Sequence, residues 1–255
     1  MWELYDTLIE GMDETETMEE FLIGPRWSVV MSSSGSIGIA PVIREQYDRF
    51  DFRFRPSKGM PLKEAAAQIR SWNFMESSLA LAAVNCFYNA PERSEAQSSD
   101  RMRVLPGGRR ARKSFRIFCE ENTAQGKTVL AEPIYNNDEL ADVPGRMDVL
   151  RRETEFRDYY ISAYQERIPE ADRLVLSGRT LMEKTAEPML KTAAEHQVDV
   201  LLFGPDVPLC PELKKFGIRT IWGFHVDKGE KLMQLARAGM ERDEFLKLGH
   251  FTVME

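Results

Sequence analysis

The sequence predicts an α/β protein in which an N-terminal α+β unit precedes a Rossmann-like, doubly wound sheet of parallel strands. Three observations carry this. Residues 71–90, SWNFMESSLALAAVNCFYNA, are apolar on nearly every side between Phe74 and Tyr88, the pattern of a helix buried all round. After Gly126, short apolar runs of strand length alternate with helical patterns. One of those runs, Val198-Asp199-Val200-Leu201-Leu202-Phe203, has the near-continuous apolar character of a strand buried on both faces, which parallel sheets favour.

The elements follow in order. Trp2, Tyr5, Leu8, Ile9 and Met12 fall near helical spacing, so the chain opens with an amphipathic helix. An acidic turn, Asp13–Glu20, leads to a strand at Trp27–Met31; a turn over Ser32–Ser36 and a return strand at Ile37–Ala40 follow. Phe50, Phe52 and Phe54 alternate as in a further strand, and Pro61 opens a helix running to about Arg70. Asn73 then caps the buried helix, with Glu76 placed to reach back as an Asn-x-x-Glu variant of the capping box, and Pro91 ends it. Fully burying each of Leu79, Leu81, Val84 and Phe87 is worth roughly 1.5–3 kcal/mol, enough to nucleate a core.

From Pro91 to Lys113 the composition turns to Ser, Gln, Asp, Gly and Arg around Pro106-Gly107-Gly108. This marks a boundary, giving units at 1–107 and 126–255 joined by a linker at 108–125, with 114–122 readable as strand or helix. Strands are expected at Thr128–Ala131, Met147–Leu150, Arg173–Leu176, Val198–Phe203 and Ile218–Trp222. Helices are expected at Leu181–His196 and Lys228–Ala238, and a closing edge strand at Phe245–Val253.

A chain of 255 residues with 43% hydrophobic and 29% charged residues is globular, and it has no run of 18 apolar residues. Its first residues lack the basic and long apolar segments of a signal peptide, so a cytoplasmic location is expected. A net charge of −7 argues against a general nucleic-acid binder, and the basic run Arg109–Lys113 lies in a Pro/Gly connection, where it reads as a solvated linker. Cys86, Cys119 and Cys210 form no Cys-x-x-Cys pair, which suggests free thiols. No Gly-x-Gly-x-x-Gly follows the first strand of the second unit and no Gly-x-Ser-x-Gly elbow occurs, so neither a dinucleotide site nor a hydrolase is supported.

Ligands of open parallel sheets bind beyond the carboxyl ends of the strands. There the sequence places Glu132, Asp206, His225 and Asp227, and a divalent transition metal held by Glu132 and His225 is one expectation, a structural histidine being the plainer one. Ser177 and Thr180 can cap a helix or hold a ligand's oxygens, and Gly204-Pro205 either makes a plain turn or lets the backbone approach a ligand. Trp72, Asn73 and Glu76 are either a capped helix entry or a ligand wall at a helix N-terminus. Glu76 and Glu132 are the candidate acid–base groups, since burial in a cleft raises a carboxyl pKa.

The stretch Trp72-Asn73-Phe74-Met75-Glu76-Ser77-Ser78-Leu79-Ala80-Leu81-Ala82-Ala83-Val84-Asn85 resembles the WN-x-x-E-A-S-x-G-L-A-A-x-N segment of proteins described as heavy-metal chelation proteins, domain of unknown function 364 with its N-terminal companion domain 4213. Ser177-Gly178-Arg179-Thr180-Leu181 resembles T-G-T-x-L, and Gly204-Pro205-Asp206-Val207-Pro208-Leu209 resembles G-P-S-T-P-L, in matching order and spacing. The resemblance implies an enolase N-terminal-like first domain, a Rossmann-like second domain and a site in the cleft between them. Where the family commonly shows G-H-F-P, this chain has Ala131-Glu132-Pro133-Ile134, replacing a histidine by Glu132. The expectation is therefore a metal-binding, chelation-like protein, with Trp72, Asn73 and Glu76 on one wall and Glu132, Thr180, Gly204, Pro205 and His225 on the other. The alternative is a metal-independent enzyme or binding protein for a phosphorylated or nucleotide-like small molecule, held at the helix N-termini of Asn73 and Thr180. Its partner is expected to be a small molecule or metal ion, not nucleic acid or membrane, and the chain to form a homodimer.

Overall fold

A computed structural model describes residues 2–43, 52–96, 102–105, 113–135, 139–140, 145–239 and 241–255. After helix α1 (Glu3–Glu10), strands β1 (Met18–Ile23), β2 (Trp27–Ser32) and β3 (Ile37–Pro41) form an antiparallel sheet in the order β1-β2-β3. The first strand replaces part of the expected acidic turn. Its Met18 is buried while Glu19 and Glu20 reach outward, so charge masked a half-buried strand. Helix α2 (Leu62–Ala66) tightens into a 3₁₀ turn, Ala67–Arg70. Phe52 and Phe54 lie in irregular chain rather than a strand, and Phe50 lies outside the described residues.

Helix α3 (Phe74–Tyr88) is the buried helix expected, with every residue but Met75 buried. Its polar side chains face inward because each meets a backbone group. Ser78 Oγ donates to Pro41 O (2.7 Å), and Ser77 Oγ lies 3.0 Å from Met182 O. The Asn85 amide nitrogen donates both to Ile39 O and to Asp206 O, at 2.9 Å each. The Asn89 amide nitrogen donates to Val207 O, and its oxygen accepts from Leu209 N. The helix thus ties the small sheet to the later half of the chain. Gly38 is the contact that permits this: a Cβ there would stand 2.0 Å from Ala82 O and 2.1 Å from Cys86 N.

Helix α4 (Pro91–Ala96) precedes β4 (Met102–Val104), and α5 (Ser114–Asn122) resolves the stretch that read as strand or helix. Of the expected linker, 108–112 lies outside the described residues, while Phe115 and Phe118 of α5 are buried. The remaining elements are β5 (Lys127–Ala131), β6 (Arg146–Arg151), β7 (Tyr159–Tyr160), α6 (Tyr164–Arg167), β8 (Arg173–Leu176), α7 (Gly178–Met182), α8 (Ala186–Glu195), β9 (Asp199–Phe203), β10 (Ile218–Val226), α9 (Gly229–Arg237), α10 (Arg242–Phe245) and β11 (Gly249–Met254).

The large sheet runs β4-β11-β10-β9-β8-β5-β6-β7. Strands β5 to β10 pair in parallel, but β11 is antiparallel to β10 and β4 to β11, so the sheet is mixed rather than purely parallel. The expected closing edge strand is shorter than Phe245–Val253 and is not an edge. Residues 242–248 are helical, and β4, from the segment read as a boundary, covers it. The expected helix Leu181–His196 is two helices, broken where Lys184 takes φ +63°.

Alternate residues of each inner strand join different cores. Val129, Ala131, Leu174, Leu176, Val200 and Leu202 pack with α3, whereas Leu130, Val175, Leu201 and Phe203 pack with α5 and Trp222. Burial on both faces accounts for the near-continuous apolar run. Among the described residues no helix is long and apolar enough to cross a membrane.

Candidate functional site

From β5 the chain moves outward through β6 and β7, then returns to the other side of β5 as β8, so strand order reverses between the carboxyl ends of β5 and β8. That crevice is where doubly wound sheets hold ligands. The first residue beyond β5 there is Glu132, at φ +51°, a left-handed conformation that costs a non-glycine residue about 1–2 kcal/mol. Its backbone is held on both sides: its N–H donates to Leu150 O (2.8 Å) and its carbonyl accepts from Ser177 Oγ (2.7 Å).

The Glu132 carboxylate accepts from the Arg152 amide and lies 3.3 Å from Arg179 Nε. The same Nε donates to Glu183 at 2.8 Å, and both carboxylate side chains are only 1% exposed. Two buried carboxylates therefore share one guanidinium. Burial, and then repulsion from Glu183, push the Glu132 carboxyl up to about 7 against the opposing pull of Arg179, the Arg152 amide and Arg151. Behind Arg179, Asp206 is fully buried and burial raises it to about 6, opposed by the amides of Gly178 and Arg179.

Arg179 also lines an open cleft of about 730 Å³. One wall is Pro25–Trp27 and Pro41–Ile43 of the small sheet; the other includes Pro133, Ile134, Arg151, Glu153 and Arg179, with Glu139 and 241–243 closing the rim. Arg151 is spent on structure, donating to Pro133 O and Tyr135 O and pairing with Asp158 at 2.8 Å. Arg242 likewise engages Glu139, Asp243 and Ile134 O, and Arg26 pairs with Glu241 at 2.9 Å.

Two family models match the chain, one over residues 5–88 and one over residues 146–255, both described as "Putative heavy-metal chelation". The chain belongs to this family. In the DUF364 family it is similar to the crystal structure of a protein of unknown function from Desulfitobacterium hafniense DCB-2, at 24% identity and TM-score 0.82, covering 100% of this chain and 97% of that one. It is also similar to one from Pyrococcus horikoshii, at 18% identity and TM-score 0.75, covering 99% and 98%. At these identities the likeness concerns the fold. No curated protein matches the sequence.

Within this DUF364 chain the predicted residues separate. Ser177 and Thr180 lie beside Glu132, but Ser177 Oγ is used on Glu132 O and Thr180 Oγ1 donates to Ser177 O at 2.7 Å. Gly204 and Pro205 are buried in the turn after β9. Asn73 caps α3 through the amides of Met75 and Glu76, at 3.0 and 3.3 Å. The capping box is not closed, because Glu76 turns away to accept from the amides of Arg53 (2.6 Å) and Phe54 (2.7 Å) and from Ser71 Oγ (2.5 Å). Trp72 is 52% exposed, with Lys184 Nζ 5.7 Å from its ring. None of Trp72, Asn73 and Glu76 is among the described residues lining the cleft.

His225 is not brought to Glu132. Three strand spacings, about 14 Å, separate β10 from β5. His225 Nδ1 lies 2.6 Å from Asn89 O, its ring stacks on His250, and burial pushes it down to about 4. Among the described residues no three His, Cys, Asp or Glu side chains converge as a metal site. The residues missed in sequence are Glu183 and the role of Arg179; their i,i+4 spacing across α7 was the available signal.

Proposed function

We propose that this protein binds a metal-associated small molecule in the cleft between its N-terminal unit and a Rossmann-like second unit. The supporting observation is Arg179, which joins the cleft to the strained, buried Glu132 at the point where strand order reverses. A positive-φ glutamate is kept where surrounding structure over-determines it, and such strain gathers at functional sites. The family's description supplies the metal; the metal is cargo, since the described carboxylates at the cleft stand beside arginines rather than around an open cation position.

The helix-N-terminus alternative has less support. The first amides of α3 are taken by Asn73, and α7 is a helix of only 5 residues.

Melting curves with Ni²⁺, Co²⁺ or Fe³⁺, each with and without citrate, test the proposal. A ligand at about a hundred times its Kd adds about 2.7 kcal/mol, roughly 5–11 °C for a chain of this size. A shift of that order with a metal-containing addition, abolished by filling the cleft with Val42→Trp, is expected. No shift with any addition defeats the proposal.

A further inference from the structure

Arg179 is used on one edge only. Its Nε serves the two buried carboxylates, but its Nη2, although shielded from solvent, makes no hydrogen bond among the described residues. The nearest charge paired with that nitrogen is Glu153 Oε1 at 3.6 Å, too long for a hydrogen bond, on a side chain that is 52% exposed and lines the same cleft. A guanidinium presents its donors as a rigid fork matched to a carboxylate, so an unfilled edge beside a cleft is a place for an oxyanion. By contrast Arg151 and Arg242 have filled theirs with carbonyls and carboxylates. Glu132 and Glu183 are 1% exposed and hold the Nε edge, so the fork is set before any ligand arrives.

We propose that Arg179 anchors a carboxylate of the ligand, that Glu153 loosely holds its place in the free protein, and that the metal therefore enters as an anionic polycarboxylate chelate rather than as a bare cation. This rests on the cleft-binding reading above and names the ligand class for it.

The test is titration calorimetry with citrate, Fe³⁺–citrate and Ni²⁺ alone, on the full chain and two variants. Arg179→Lys keeps a cation beside Glu132 and Glu183 but removes the fork; Glu153→Gln removes the competing carboxylate. Fe³⁺–citrate is expected to bind the native protein, about ten- to a hundredfold more weakly in Arg179→Lys and severalfold more tightly in Glu153→Gln. A purely structural Arg179 would not give the two variants opposite signs. Unchanged chelate affinity in a folded Arg179→Lys overturns the anchor while leaving the cleft proposal standing. Stoichiometric Ni²⁺ binding without an anion overturns the chelate while leaving metal binding standing. Equal affinity for citrate with and without iron keeps the anchor and removes the metal. Silence from all three probes on the native protein defeats both proposals.

Discussion

Glu76 and Glu132 are two buried glutamates that sequence alone treats alike, and the fold treats them in opposite ways. Glu76 is surrounded by donors: two backbone amides and a serine hydroxyl converge on its carboxylate. Glu132 has one amide, shares one guanidinium with Glu183, and sits on a left-handed backbone. A buried carboxylate whose lone pairs are filled by fixed donors is a structural joint. One crowded by a second carboxylate is held under electrostatic load, and that load orients the arginine between them. The difference lies in the neighbours, which apart from Ser71 come from distant parts of the chain.

The largest effect is expected at Glu76. Glu76→Ala leaves three donors unsatisfied, each worth about 1–3 kcal/mol, so a loss of roughly 4 kcal/mol is expected, read as a fall in Tm of about 8–16 °C. Weakened Fe³⁺–citrate binding with an unchanged Tm would instead return Glu76 to the ligand site.

Glu132→Gln should show a smaller, pH-dependent effect of opposite sign. The ordinary value is 4.5 and the folded one about 7, so between these pH values the folded protein keeps a proton that the unfolded chain has lost. Native stability then falls as pH rises through that window, by up to about 3 kcal/mol at pH 8. The glutamine is neutral throughout and escapes this loss. Urea unfolding should therefore show the variant gaining on the native protein by about that amount between pH 4 and pH 8; a constant difference would place Glu132 in the same class as Glu76.

The smallest effect is expected at Trp72. With Trp72 half-exposed and Lys184 across its ring face, Trp72→Ala is expected to cost less than about 1 kcal/mol and to leave chelate binding unchanged. A larger loss of affinity would draw the entry to α3 into the site.

What local pattern alone determined is considerable: the all-round apolar character of 74–88, its Asn73 cap, and five of the parallel strands are all present where expected, because burial and capping are written in spacing. Where local chemistry misled, tertiary pairing had overridden it. Acidic residues concealed β1, and a polar, arginine-rich stretch supplied β4 as the sheet edge. The alternation of strands and helices put Glu132, like Asp206, His225 and Asp227, beyond the carboxyl end of a strand, but that Glu132 stands where strand order reverses came from the sheet topology. The pairing of Glu132 with Glu183 through Arg179, and the separation of His225 from them, were decided only by the tertiary structure. Those contacts depend on which strands become neighbours, and side-chain periodicity records the face a residue occupies, not the partner it meets across a crossover.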